Sequence, residues 1–586
     1  MFRTLTLTVC SLLGATAFAA NGEQTDQANP PAAEWIAQDA LIVVQIARPR
    51  ELIEHLFDQR VAGAITASPP YKEQSAKPGF QQVVNLVKYF EGKYKADAPE
   101  LLGKLLGGGI TWALGPNEAS LLIVDSEDAQ MLNEMHEFFL LMARSDAQTQ
   151  GDEDRVTSAE YRGLTGWRFG PNETHAIVGN RLLLTNKPAM LKTAADLRAD
   201  PGSSLAELER YQATVEAADP TALATAYVNT GVLKHVPQLD AALRQYENPL
   251  AAMLLAPLAT AIRDSSWLSV STTFDEDTLA WNMTSDGGAG DPAAPDGFAC
   301  PEDAGGGAYP ALSVPNQIAS LSLYRDLYRF YGAKDELFPE RTSGLIFFEN
   351  MMGIFFTGRD LTEEVLAELT PDIRVVVTEQ EYDGAADAPD IQLPGFAAIF
   401  RMRDAEKFGR VMEEAFQKAL GLVNFTRGQN AQPGLIIDRP EHGGTKYTMA
   451  AFSAPGPGDV VDGTAQFNFQ PTLAMPGDYA IISSTNALAR DLIDAVNAES
   501  HADTKAVTGL HTALQMSGPQ LASILTANRE TLVRKNMVEE GNTREQAEAQ
   551  IDLILKVVES VRQLKLNVGT RDGQSRAALE LSIQWP

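Results

Sequence analysis

Cysteine is nearly absent. Of the two in 586 residues, Cys10 lies in an N-terminal apolar stretch and only Cys300 lies beyond it. Removal of that stretch leaves no pair to oxidise, so the fold must rest on packing, and a lone cysteine in a Gly/Pro-rich segment reads as incidental. Positive charge is also scarce. Lys and Arg number 47 against 77 Asp and Glu, a formal net charge of −30 with a pI near 4.6. Such a field repels phosphate backbones and anionic head groups, and no basic stripe interleaved with aromatics offsets it, which excludes nucleic acid as a partner. Long apolar runs are missing too. The best after the leader, Gly344 to Gly358, is broken by Glu349 and Asn350 and is shorter than the roughly 20 residues a spanning helix needs. It reads as buried core, with docking to a membrane surface as the sharper alternative.

The chemical motifs are equally sparse. No glycine-rich phosphate cradle follows a strand, and neither Gly-x-Ser-x-Gly nor Ser-x-x-Lys occurs. Gly107, Gly108 and Gly109 precede a strand and read as a helix stop. His55, His136, His175, His235, His442, His501 and His511 stand apart in sequence, without the pairing that a structural zinc site shows. His442, between Glu441 and Gly443, reads as a loop histidine. Asp275, Glu276 and Asp277 read as a hairpin turn, because the residues after them cannot complete a calcium loop. No catalytic, cofactor-binding or metal-ligating residue is nominated.

What is present is an internal repeat. Gly179 to Asn186 matches Gly477 to Ser484, and the match runs on into a helix where Lys192 meets Arg490 and Asp196 meets Asp494. Glu127 to Leu132 matches Arg403 to Phe408. Arg50 to Leu52 with Arg325 to Leu327, and Pro220 to Asn229 with Pro519 to Asn528, follow in the same order. A period this long is not that of a short-repeat solenoid. The organisation expected is a signal peptide at 1–19, a mobile tail at 20–39, a first repeat at 40–287, a Gly/Pro-rich linker at 288–312 and a second repeat at 313–586. Arg3, the apolar Leu5 to Phe18 and the small residues Ala17 and Ala19 carry the leader reading.

Within each copy strand-like pairs alternate with helices. Leu41 to Ile46 leads to a helix at Glu51 to Phe57. Ile110 to Leu114 and Ser120 to Val124 form a hairpin, and the helix from about Glu127 to Ala143 carries Met131, Leu132, Met135, Phe139 and Met142 on one face. Later come the helix at Pro188 to Leu197, a long helix near Leu250 to Arg263, and the hairpin Trp267 to Phe274 with Thr278 to Met283. Asp128 and Asp404 fall at helix starts, where a carboxylate accepts orphan amide hydrogens. The pattern predicts an α+β fold: two tandem homologous domains, each a mostly antiparallel sheet with helices packed on one face.

The leader, Arg48 to Leu52, the run Leu106 to Leu114 and the segment Asn180 to Leu191 resemble a domain-of-unknown-function family of large secreted proteins typical of planctomycete bacteria. That resemblance implies export and a duplicated α+β fold, and brings no activity or site residues with it. The resulting expectation is an exported, periplasmic or extracellular, non-catalytic binding or structural protein with an unknown ligand or protein partner and no cofactor. The alternatives are a carrier of an apolar ligand, suggested by the methionines of the long helix, or an envelope or polysaccharide hydrolase using dispersed carboxylates.

Overall fold

The computed structural model describes residues 30–584, apart from 68, 171–172, 245, 247, 276, 289, 292, 302–304, 340–342, 383–388 and 453–464. The signal peptide, the loop at Ala454 to Gly463, most of that at Tyr382 to Pro389 and Glu276 therefore lie outside the described residues. Two compact units emerge, one built from residues up to 239 with 265–287, the other from 240–264 with 288–584.

The first unit holds strands β1 (Ile42–Ile46), β2 (Gly109–Leu114), β3 (Ser120–Asp125), β4 (Thr157–Tyr161), β5 (Leu164–Gly170), β6 (Glu173–Val178), β7 (Arg181–Thr185), β8 (Ala224–Val228), β9 (Leu268–Asp275) and β10 (Thr278–Ser285). Antiparallel ladders join them in the order β4-β5-β6-β7-β3-β2-β1-β8-β9-β10.

The second unit holds β11 (Gln317–Tyr324), β12 (Leu369–Thr378), β13 (Gly395–Met402), β14 (Leu435–Asp438), β15 (Thr448–Phe452), β16 (Thr472–Ala474), β17 (Tyr479–Ser483), β18 (Leu510–Ser517), β19 (Val561–Arg571) and β20 (Gln574–Ile583). Their order is β14-β15-β16-β17-β13-β12-β11-β18-β19-β20, again antiparallel throughout. Position by position the two orders are the same. β12 runs through Pro371, with a register shift between Leu369 and Ile373 of the kind a proline inside a sheet brings.

The α+β class holds, but helices pack on both faces of each sheet. On face A of the first unit, Val43, Ala113, Leu121, Ile123 and Leu183 meet Leu191, Ala194 and Ala195 of helix Pro188–Ala199. On face B, Ile46, Ile110 and Val124 meet Leu52 and Leu56 of helix Pro49–Leu56 and Leu106 of helix Ala98–Leu106. The second unit repeats this: Val376, Ile399 and Ile481 under helix Asn486–His501, and Met402, Leu473 and Ala480 under helix Ala405–Gln429. The reason is visible in β3, where Leu121, Leu122, Ile123 and Val124 form an unbroken apolar run, the mark of a strand covered on both sides.

Within 30–39, read as part of a mobile tail, Ala32, Ala33, Trp35 and Ile36 are instead core. Trp35 and Ile36 are buried against Leu183 and helix Pro188–Ala199. Trp35 also lies 5.0 Å from the guanidinium of Arg181, which is buried and held by both oxygens of Asp125 at 2.7 and 2.8 Å. The residues read as a linker have the same role in the second unit. Leu312 joins its face A core, and Tyr309 lies 4.8 Å from the buried Arg374, itself paired with Glu499 at 2.7 Å. Earlier in that segment Phe298 packs edge-on against Phe330 at 4.9 Å. Glycine and proline content suggested slack, but isolated aromatic and apolar side chains decided the packing.

The boundary differs from expectation in one more respect, since helix Pro249–Asp264 belongs to the second unit. Pro257 within it has no N–H to give the carbonyl of Met253. Arg325 Nε donates to that carbonyl instead. The same guanidinium, fully buried, donates to the carbonyls of Tyr324 and His511 at 2.7 and 2.9 Å and to Thr512 Oγ1 at 2.9 Å. Arg325→Met should destabilise the protein by about 3–5 kcal/mol, because the carbonyls stay buried and lose their donor. In a Pro257→Ala background, where the helix supplies its own N–H, the loss should shrink by about 1 kcal/mol. A urea-unfolding double-mutant cycle checks this, and purely additive losses would refute the proline–arginine link.

Candidate functional site

Face B has a feature that a sealed core lacks. A cross-strand row in the first unit reads Leu184, Leu122, Trp112, Val44, Ala226, Val270 and Met283, from β7 to β10. The matching row in the second unit reads Ile482, Ala398, Val375, Leu321, Leu514, Leu566 and Leu579. Every member is apolar, yet none is fully buried. Ile482 is 36% exposed, and Phe396 on the next row is 51% exposed. Face A behaves differently along the same strands. It passes from the buried Leu183 and Ile123 to Thr225, Ser271 and Asn282 in the first unit, and from Ile481 and Ile399 to Asn567 in the second. In an antiparallel sheet with one wet side the polar face is the wet one. Face A follows that rule, with Asn282 and Asn567 exposed, whereas face B is left partly open at apolar residues.

Helix Ser343–Phe355, expected as buried core, adds to the exposed apolar surface of the second unit. Leu345 is buried, and Met352 and Phe355 pack on the cluster around Phe408, but Phe347 is 64% exposed. A helix whose apolar residues spread over most of its circumference buries only the stripe that meets its neighbours.

The end of the row in the first unit is polar. His175 on β6 stands opposite Leu184 on one side and Trp167 on the other. Its Nε2 lies 3.1 Å from Nε2 of His136, on helix Ala129–Thr149. Phe169 packs edge-on against His175 at 4.5 Å, and Trp167 against His136 at 5.8 Å. Burial, and then the neighbouring His136, push His175 down to about 4, while burial also lowers His136. Both rings are neutral at pH 7, one donating its N–H to the other. Sequence spacing gave no hint of this pair, since strand parity and the β5-β6-β7 pairing are needed to place them together.

The other candidates resolve into structural roles. His442 Nε2 meets Asp494 at 2.8 Å while its Nδ1 accepts from Arg490 at 3.3 Å, so the ring proton sits on Nε2. Cys300 is buried and its thiol is pushed up to about 11 by that burial, which keeps it unreactive. Asp128 and Asp404 cap their helices through the amides of Met131 at 2.8 Å and Lys407 at 3.0 Å. Among the described residues no group of three or more His, Cys, Asp and Glu could hold a metal ion, and no helix is long and apolar enough to cross a membrane. A cavity of about 660 Å³ in the second unit has Arg329 and Glu336 as its charged lining.

No family model matches the chain, and no curated protein matches it. Among solved structures, crystal form I of TP0453 aligns at 9% identity over 44% of this chain and 79% of that one, with a TM-score of 0.22. Crystal form IV aligns at 10% identity over 44% and 81%, with a TM-score of 0.25. A likeness of that size carries no argument about fold or function.

His175 and His511, each held near 4, make the fold acid-sensitive. The unfolded chain binds their protons below about pH 6.5 while the folded chain does not, so the stability is complete above that pH and is lost as pH falls toward 4. Each group accounts for about 3 kcal/mol at the end of that range. Urea unfolding at pH 7.0, 5.5 and 4.5 should show a falling midpoint, and a flat profile would contradict both assignments.

Proposed function

We propose that this is an exported, non-catalytic protein that binds apolar, chain-like ligands along face B of its two sheets. The reading rests on one observation: an apolar row crosses each sheet and is neither sealed under helices nor replaced by polar residues at its open positions. Apolar surface left partly in water gains roughly 25 cal/mol for each Å² a ligand covers. The strongly acidic character of the chain favours ligands with neutral or cationic heads over anionic ones.

The shared strand order, together with the sequence matches, supports descent of the two units from one duplicated domain, and so two equivalent surfaces per chain. The leader reading supports export to the periplasm or beyond. Partly exposed rather than buried side chains favour a ligand that enters and leaves, which is a carrier's requirement more than a scaffold's.

Native mass spectrometry of the protein purified from its own envelope, followed by denaturation, should release an apolar small molecule. The two faces also separate by mutation. Leu321→Lys, on face B, should cut binding of the neutral probe N-phenyl-1-naphthylamine by roughly tenfold in the second unit while costing about 1 kcal/mol of stability. Val376→Lys, on the adjoining strand but facing the sealed core, should cost about 4 kcal/mol or more. Absence of both released ligand and probe uptake would end this reading.

A further inference from the structure

Helices Ala129–Thr149 and Ala405–Gln429 hold the same place in their units. Each follows the strand that lies beside the central hairpin partner, β3 or β13, and each opens on a capping aspartate, Asp128 or Asp404. Counted from those caps, His136 corresponds to Met412. Strand register supplies the other half, since His175 faces Leu184 as Leu473 faces Ile482. In the second unit Met412 and Leu473 belong to one buried apolar cluster with Phe408 and Ala480. In the first unit the same two positions carry imidazoles in direct contact.

We propose that the contact of helix Ala129–Thr149 with face B of the first unit is a pH-operated latch, closed while His136 and His175 share a hydrogen bond and opened when they are protonated. The matching Met412 and Leu473 contact is a latch that does not open. A first proton can sit on the free Nδ1 of the donating ring and leave the bond in place, but protonation of both rings puts an N–H on each facing nitrogen, leaves no lone pair to accept, and sets two cations at hydrogen-bond distance inside an aromatic pocket.

The surrounding charges do not rescue the protonated pair. On the helix, exposed Glu137 favours a charged His136, but Arg144 lies over Trp167 and Asp146 is already paired with Arg155 at 2.9 Å. Arg168 of β5 and Arg181 of β7, the latter engaged by Asp125, alternate with Trp167 and Leu182 and so lie on face A, across the sheet from the pair. On β6, burial pushes the Glu173 carboxyl up, so it takes a proton early and offers little negative charge as the pH falls. Arg155, which donates to the carbonyl of Phe169 at 3.2 Å, adds a further cation nearby. Among the described residues no carboxylate hydrogen-bonds either ring.

The latch depends on the ligand-binding reading only for its consequence, which is that face B of the first unit opens or closes to ligand with pH. Hydrogen exchange of the full chain, corrected for intrinsic rates, tests the latch itself. Between pH 7.0 and 4.5 peptides from 129–149 should lose protection by at least roughly tenfold more than peptides from 405–429. His136→Met with His175→Leu, which copies the second unit, should abolish that difference. His136→Gln with His175→Gln, which keeps hydrogen-bonding side chains and removes both titrating rings, gives the same test if the apolar double variant fails to fold. Equal responses of the two helices, or a persistent difference in either variant, would overturn the latch. Uptake of N-phenyl-1-naphthylamine measured in parallel separates the two claims: a selective exchange response with no uptake at any pH sinks the ligand reading alone, and uptake with no selective response sinks the latch alone.

Discussion

The alternation of side chains across an antiparallel sheet is the constraint on which the rest of this protein depends. Backbone pairing fixes which residues stand opposite one another, and a slip of one position would exchange the two faces of a strand entirely. Because Val44 faces Trp112 and Ala226, all three lie on face B, while Val43 lies with Ala113 and Tyr227 on face A. The same ladder that buries Tyr227 leaves Ala226 and its row partly open. Core and candidate site are two readings of one register, so neither can be altered by shifting a strand without destroying the other.

Buried guanidinium groups reinforce that register at points where apolar packing alone would not. Arg181 begins β7 opposite Asp125 at the end of β3, which fixes that strand pair by charge as well as by backbone. Removing either partner would leave an uncompensated buried charge, a far larger loss than the net worth of the pair. Trp35 then covers the guanidinium with its ring, and this draws the segment before β1 into the core. Tyr309 does the equivalent at Arg374 and also lies 5.6 Å from Arg401. The chain before the first strand of each unit is thus an integral part of face A.

Local chemistry and hairpin pairing were legible in the sequence, and pairing between distant strands was not. The aspartates that start the two long helices act as caps because the orphan amides of a first turn demand an acceptor whatever the tertiary setting. Gly179 and Gly477 take φ of 63° and 60°, as tight turns between strands require. The hairpin of β9 and β10 follows from apolar alternation on either side of a short acidic turn. By contrast, the order in which strands meet depends on non-local contacts that no window of sequence contains. The role of Trp35 and Tyr309 was hidden for a related reason: one aromatic residue in a Pro/Ala or Gly/Pro background leaves the composition of its segment unchanged. His136 and His175 were hidden twice over, once by their separation and again because only the β6-β7 register shows that His175 continues the Leu184 row.

A partly open apolar face is a hazard for any protein, since exposed patches of this kind drive self-association. The charge distribution bears directly on that hazard. With a net charge of −30, two copies approaching within a Debye length of about 8 Å repel one another over their whole surfaces. A neutral apolar molecule feels none of this repulsion. Under the proposed function, the acidity that looks like mere solubility in the composition would act as a filter, repelling copies of the chain and anionic surfaces while leaving face B accessible to uncharged chains. Acidification weakens that repulsion as carboxylates take up protons, and His175, lowered by burial, takes up its own proton only as the pH falls toward about 4. With the proposed latch, repulsion between copies and the hold of helix Ala129–Thr149 on face B would weaken in the same direction of pH, so the condition that opens the first unit would also be the one that leaves its apolar face least protected from other macromolecules.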